Sequence, residues 1–262
     1  MRNKLTDHEI DHYGTNGFLA IPDLLDESEL ARWRDVVNAA IDGDRVRQPD
    51  GSNPLVFTQR MNLRRASAAV KSLVEHPGIG RLVADLEGID AVRIYFDQAL
   101  VKEPYSLPTS YHLDLPWWAF ESDHACTIWV ALDDATAENG CLYFVPGSHR
   151  LGLTYRSPSV GADLGGIFAA HPEAAGRPPV SCAIPAGGCT FHNARTIHGA
   201  GVNMTPGRRR ALTAAYMPDG VRFDGTLDLR SQGEYLGRLS TGDLLQNGEH
   251  NPVVYARTLV GR

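Results

Sequence analysis

Apolar residues keep helical spacing along the first third of the chain and strand spacing along most of the remainder. Thr6-Asp7-His8-Glu9 has the form of a capping box, so a short helix is expected to about Tyr13, closed by Gly17. "FLAIPDLL" (18–25) reads as an extended segment carrying a proline. Asp26 or Ser28 can cap a second helix, in which Leu30, Trp33, Val37, Ala40 and Ile41 share one face and Gly43 is the stop. Residues 43–54 are polar and turn-rich and predict a loop. Residues 66–87 repeat the helical pattern, interrupted near His76-Pro77.

Beyond Gly88 the pattern shortens. Strands are expected around 91–103, 110–115, 124–132, 141–145, 179–184, 188–192 and 209–217, parted by turn clusters such as "DDATAENG" and "VPGSHR". Helices first and short strands afterwards give an α+β fold, a β-sandwich or jelly roll with helices packed on one side. The chain is expected to be a single domain over 1–262, with a mainly helical part to about 90 and a β core over about 91–220. Residues 151–178 are rich in Gly, Ala and Pro and predict a long binding loop or lid.

Composition narrows the function classes. A net charge of -6 over 262 residues argues against nucleic acid or an anionic membrane as the main partner. No apolar run has the length of a membrane span, and the N-terminus lacks a signal-like apolar stretch, so a cytoplasmic protein is expected. Cys126, Cys141, Cys182 and Cys189 form no C-x-x-C pair and read as buried free thiols.

The candidate chemistry starts at "YHLDLPWWAF" (111–120). On a strand, His112 and Asp114 lie two apart and share a face. An H-x-D pair alone is a weak signal, and on its own the structural reading is favoured. His198, before a Gly-x-Gly turn, can supply a third ligand. Two histidines and a carboxylate on one face of an octahedron leave open positions, the arrangement of non-haem Fe(II) oxygenases. His192, six residues earlier and on the same face of a regular strand, is the rival ligand or a partner of the ligands. Eleven residues past His198, Arg209 points opposite to Arg208 and Arg210 if the segment is a strand. An inward arginine among apolar neighbours needs a carboxylate, whereas Arg208 and Arg210 read as a solvated patch. His149 is expected in a loop near the pocket mouth, and His124 as a satisfied polar residue.

Three blocks carry a family resemblance: "YHLDLPWWAF", "TIWVALDDATAENGCLYFVPGSHR" and "GGCTFHNARTIHGAGVNMTPGRRRAL". Together they resemble the phytanoyl-CoA dioxygenase family of Fe(II)/2-oxoglutarate-dependent oxygenases. The resemblance implies a double-stranded β-helix, with Fe(II), 2-oxoglutarate and O₂ as cofactor and co-substrates. It implies His112, Asp114 and His198 as iron ligands and Arg209 as partner of the far carboxylate of 2-oxoglutarate. It places Trp129, Gln98 and Lys102 at the co-substrate. Some members carry a hydroxyl two residues after the distal histidine. Here that residue is Ala200, and Thr190, Tyr95 or Thr127 is the candidate replacement. Halogenating relatives have Ala or Gly at the carboxylate position, so Asp114 implies oxygenation. Asn139, Gly140, Pro146, Gly147 and Ser148 are expected to build turns, and Asn203 to order the turn after His198.

The expected substrate is a small molecule lying among Trp117, Trp118, Phe120 and the 43–62 and 151–178 loops. Arg60, Arg64 and Arg65 could meet an acidic group on it, or form a solvated helix face. Natural-product tailoring is the first reading of the reaction. The alternatives are catabolic hydroxylation of an acyl or amino-acid-like compound, and a non-catalytic cupin-type binding protein. Oligomeric state is open.

Overall fold

The computed structural model describes residues 1–42, 55–156, 161, 163–226 and 232–257. The expected loop at 43–54 lies outside them. The Thr6 hydroxyl and Glu9 carboxylate exchange hydrogen bonds with each other's backbone and start α1 (Asp7–Asn16). Gly17 ends it at φ 81, where a Cβ would also come within 2.4 Å of His149. β1 (Phe18–Ile21) comes next. Asp26 caps α2 (Glu27–Asp42), accepting from the Glu29 amide at 2.8 Å while Glu29 accepts from the Asp26 amide at 3.0 Å. After β2 (Thr58–Met61) come α3 (Leu63–Ala66), α4 (Ala68–Val74) and α5 (Pro77–Glu87). The interruption falls where the sequence puts it, with the His76 ring capping α5 and Pro77 in its first turn.

The remaining strands are β3 (Ala91–Lys102), β4 (Thr109–His112), β5 (Cys126–Ala131), β6 (Leu142–Phe144), β7 (Val180–Cys182), β8 (Cys189–Asn193), β9 (His198–Ala200), β10 (Arg209–Pro218) and β11 (Val253–Ala256). Among the described residues they pair antiparallel into two sheets. The larger runs β1-β8-β5-β10-β3-β11, with β2 also on β3, and the smaller runs β4-β9-β6-β7. β1 and β2 from the helical part and β11 from the C-terminal part belong to the larger sheet. The sheet therefore extends past both ends of the expected 91–220 core. The 151–178 stretch is not structureless, since it holds α6 (Gly166–Ala170) and α7 (Pro172–Ala175).

Alternation sorts the larger sheet into two faces. Ile128, Val130, Phe191 and Leu212 point outward, where Trp33, Val37, Leu73 and Leu82 of the helices cover them in one apolar cluster. Each such side chain contributes about 1.5–3 kcal/mol by burial. The inner face carries Thr127, Trp129, Thr190, His192, Arg209 and Thr213 instead, polar groups that no simple core would hold. At one end the two sheets close on Phe18, Trp129, Leu142, Phe144 and Ile184. At the other they stay apart and a cavity remains.

One buried charge cluster ties the helices to the C-terminal segment. Arg64, 3% exposed, pairs with Glu75 at 2.7 Å and lies 3.7 Å from Asp97, and donates to the carbonyls of Glu249 and His250. It is no part of a solvated helix face and does not reach the cavity. Replacing Arg64 with Met is expected to cost about 3–5 kcal/mol in urea unfolding, because it strands buried partners. Burial, opposed by Arg64, pushes the Asp97 carboxyl up to about 7. The folded chain therefore keeps a proton that the unfolded chain has released, and this group's contribution to stability grows as pH falls from 7 towards 4.

Candidate active site

His112 closes β4 and pairs in register with His198, which opens β9. β4 is shorter than the expected 110–115 strand. Asp114 lies just beyond it in a helical conformation (φ -77, ψ -47), entering a 3₁₀ turn at Leu115–Trp117. The Asp114 and Leu115 amides both donate to the Ala194 carbonyl, at 3.0 and 3.1 Å. The two side chains thus converge through a tethered turn, while the intervening Leu113 points into the core.

The hydrogen bonds define the tautomers. His112 Nδ1 lies 2.8 Å from the Ser110 carbonyl and His198 Nδ1 lies 3.0 Å from that of Thr196. A carbonyl only accepts, so Nδ1 carries the proton in each ring and Nε2 keeps its lone pair. Both Nε2 atoms face Asp114 Oδ1, at 3.7 and 3.8 Å, and one donor atom from each of His112, Asp114 and His198 lies within 4.8 Å of the others. The outer oxygen, Oδ2, accepts from the Thr127 hydroxyl at 2.7 Å and from His192 Nε2 at 3.2 Å. That places His192 behind the carboxylate, holding its outer oxygen.

Burial pushes His112 and His198 down to about 4, helped by the facing imidazoles of His198 and His192 respectively. Burial alone would raise the Asp114 carboxyl, but His198, the His192 hydrogen bond and His112 hold it well below the usual carboxylate range. At neutral pH the cluster is therefore one carboxylate and neutral rings with open lone pairs, the protonation state that a divalent cation requires. Replacing Thr127 with Val leaves Oδ2 one donor short. Fe(II) affinity is expected to fall about 10- to 100-fold, measured by competition with a chelating dye.

The triad opens into a cavity of about 330 Å³. Arg209 lies in its wall, with its guanidinium 5.0 Å from the centre of the Trp129 ring. It is 3% exposed, and its Nε and Nη1 have no hydrogen-bond partner. Burial pulls it down to about 10, so it stays charged at neutral pH. A buried cation with two unused donors facing a cavity is a seat for a carboxylate. The small residues Ala131 and Ala211 lie between its strand position and Trp129, which leaves its side chain room to reach back. Arg208 and Arg210 point the other way, to Glu103 and Asp133 at 2.7 and 2.6 Å. The donor set fits Fe(II), and Arg209 fits the far carboxylate of a bound dicarboxylic keto acid.

A phytanoyl-CoA dioxygenase family profile matches residues 13–211. The chain belongs to the phytanoyl-CoA dioxygenase family. A methylphosphonate hydroxylase of Gimesia maris is 28% identical to this family member over 164 residues, 59% of this chain and 61% of that protein. The chain thus spans about three-fifths of that relative's length. Among solved structures it resembles the carbocyclase SnoK of nogalamycin biosynthesis, at 28% identity and a TM-score of 0.79, over 95% of this chain and 96% of that one. The α-ketoglutarate-dependent epimerase SnoN of the same pathway is similar at 28% identity and a TM-score of 0.76, over 95% and 98% of the two chains. SnoN has been crystallised with Fe³⁺, α-ketoglutarate and nogalamycin RO. The fold is the jelly roll that the resemblance implies.

The expected residues do not all meet at the cavity. His112, Asp114, His198, Arg209, Trp129, Gln98, Trp117 and Trp118 line it. Lys102 does not: its ammonium turns to the carbonyls of Leu107 at 2.7 Å and Val56 at 3.3 Å, fastening two segments beside the site. Thr190 is fully buried and outside the lining, and Phe120 is a core residue packed on Tyr95. Among the candidate hydroxyls, Thr127 is committed to Asp114 and Tyr95 accepts from the Ala119 amide. His149 is turned to the Gly14 carbonyl and does not line the cavity. Asn203 does order the turn after His198, donating to Glu103 and Gly207 and accepting from Thr205. The expected 43–62 and 151–178 segments do reach the cavity, through residues that include Phe57, Met61 and Arg156, none of them singled out in the sequence, whereas Phe96 and Thr213 lie outside every expected substrate segment. Thr213 carries a residue-level signal, since it lies on the Arg209 face of β10, at 209, 211 and 213.

Proposed function

We propose that the protein is an Fe(II)- and 2-oxoglutarate-dependent oxygenase that oxidises an unactivated C–H bond of a small molecule, in natural-product tailoring. The observation that carries this reading is Arg209: a buried guanidinium with two unused donors, in the cavity of a two-histidine, one-carboxylate cluster. A cupin-type binding protein has no use for that charge, and the buried arginine costs stability unless a carboxylate arrives.

His112, Asp114 and His198 would hold the iron, and Arg209 would orient 2-oxoglutarate by its far carboxylate, beside Trp129 and Gln98. Bound there, Fe(II) with 2-oxoglutarate and O₂ supplies the oxidising power for C–H cleavage. The chain's own work is positional. Ser110 and Thr196 fix the imidazole planes, and Thr127 and His192 fix the carboxylate. Trp117, Trp118 and Phe96 keep water from the reacting carbon. The likeness to the SnoK and SnoN structures over nearly their whole length supports tailoring over catabolic hydroxylation. The test is Fe(II)-dependent succinate release from 2-oxoglutarate. Failure of the Fe(II)-loaded protein to bind 2-oxoglutarate would return it to the binding-protein class.

A further inference from the structure

The outer half of the cavity is built differently from the half around Arg209. Its walls are Phe57, Met61, Phe96, Trp117 and Trp118, flat or flexible apolar groups. Gln59, which donates to Gln98 at the boundary with the co-substrate half, is a neutral polar group beside them. Asp114 is the one carboxylate in the lining among the described residues, and it is taken up by the ligand cluster. No acidic group among the described lining residues is left to meet a cationic substrate. Of the two arginines in the lining, Arg209 lies deep. Arg156 lies exposed with its guanidinium 4.6 Å above the Trp117 ring. It forms no ion pair with any described residue. A guanidinium attracted to an indole face by its charge still has N–H donors to offer an anion.

We propose that the substrate is a planar, mainly aromatic compound bearing an anionic group, its ring system against Trp117 and Trp118 and its anion on Arg156. The inference rests on the oxygenase reading, in which Arg209 is already occupied by 2-oxoglutarate. It separates this chain from an enzyme for a one-carbon oxyanion, which offers no surface to such walls. Anthraquinone-2-carboxylate, its neutral carboxamide and methylphosphonate serve as probes. Each is titrated anaerobically into the Fe(II)-loaded protein saturated with 2-oxoglutarate, with tryptophan fluorescence and heat as the readouts. The carboxylate is expected to bind about tenfold or more tightly than the amide. Arg156→Gln should erase that preference, and methylphosphonate should not displace the carboxylate. Equal binding of acid and amide, no binding of either, displacement by methylphosphonate, or an unchanged preference in Arg156→Gln would each overturn the proposal. Whether 2-oxoglutarate binds at all is read in its own titration, so failure of the oxygenase reading is told apart.

A separate observation concerns the co-substrate half. The Thr213 side chain is 2% exposed, lines the cavity and has an unpartnered hydroxyl. It sits in register between Trp129 and Gln98, on the same face of β10 as Arg209, with only Ala211 between them. We infer that Thr213 supplies the hydroxyl that Ala200 lacks, donating to the 2-oxoglutarate carboxylate. Calorimetric titration of 2-oxoglutarate into the anaerobic Fe(II) protein should show binding weakened about tenfold or more in Thr213→Val and recovered in Thr213→Ser. Thr190→Val, whose hydroxyl is equally unpartnered but outside the lining, should stay near the unsubstituted value. Unaltered affinity in Thr213→Val, or a loss confined to Thr190→Val, would refute the assignment.

Discussion

Replacing Asp114 with Ala is expected to lower turnover by about 10³-fold or more, since a ligand that acts only as part of a cluster takes most of the cluster's effect with it. The structure gives the reason beyond the loss of one donor. Asp114 Oδ1 is the atom that both Nε2 lone pairs face, and Oδ2 is the acceptor that Thr127 and His192 share. Its removal leaves neutral imidazoles with no negative charge to offset a dication, and two buried donors without an acceptor. Iron content after dialysis should fall in step with activity. An Asp114→Ala protein that retained stoichiometric iron and full turnover would show that the ion sits elsewhere.

Arg209→Met should raise the dissociation constant for 2-oxoglutarate by about 10²- to 10³-fold, the scale of losing one member of a buried charge pair. The same change should leave the 2-oxoglutarate-free protein at least as stable, because an apolar side chain of similar length replaces a guanidinium with two unpaired nitrogens. Thermal unfolding with and without 2-oxoglutarate reads both effects. The unsubstituted protein gains stability on binding and the variant does not. Destabilisation of the ligand-free variant by several degrees would mean that Arg209 has a structural partner, and the carboxylate assignment would lose its basis.

Much of this site was legible in the sequence because its parts lie in short local patterns. The spacing of His112 and Asp114, the turn after His198 and the single inward arginine among three are features of neighbouring residues. Asp114 sits in a helical turn and not on the expected strand, yet its side chain still meets that of His112. The turn that brings it there is tied to Ala194, which is 80 positions away and invisible locally. Trp117, Trp118 and the 43–62 segment are legible as the cavity's outer wall, but which residues of that segment face it, and their meeting with Phe96, are not. Phe57, Met61 and Phe96 meet because β2 pairs with β3, and the half-exposed "TQRM" has no alternation that marks a strand. Lys102 shows another limit, since alternation gives the face of a residue and says nothing of where a long side chain ends. The outward face of the larger sheet was clear from its apolar alternation. The inward face reads as ordinary strand until the arginine and the threonines are seen to converge.

The proposed ligand cluster is set before any metal arrives: two rings pinned at Nδ1, a carboxylate pinned at Oδ2, and a turn fixed to Ala194. Such a cluster has little freedom to close differently around different ions. For divalent metals of the first transition row, affinity for a nitrogen and oxygen site rises from iron towards copper and stays high for zinc. The nitrogen and oxygen donors alone therefore give Fe(II) no advantage in affinity over Zn²⁺. Supply would then weigh heavily in which ion fills the proposed site, and protein exposed to zinc is expected to be correctly folded, mismetallated and silent, as metal analysis beside a turnover assay would read.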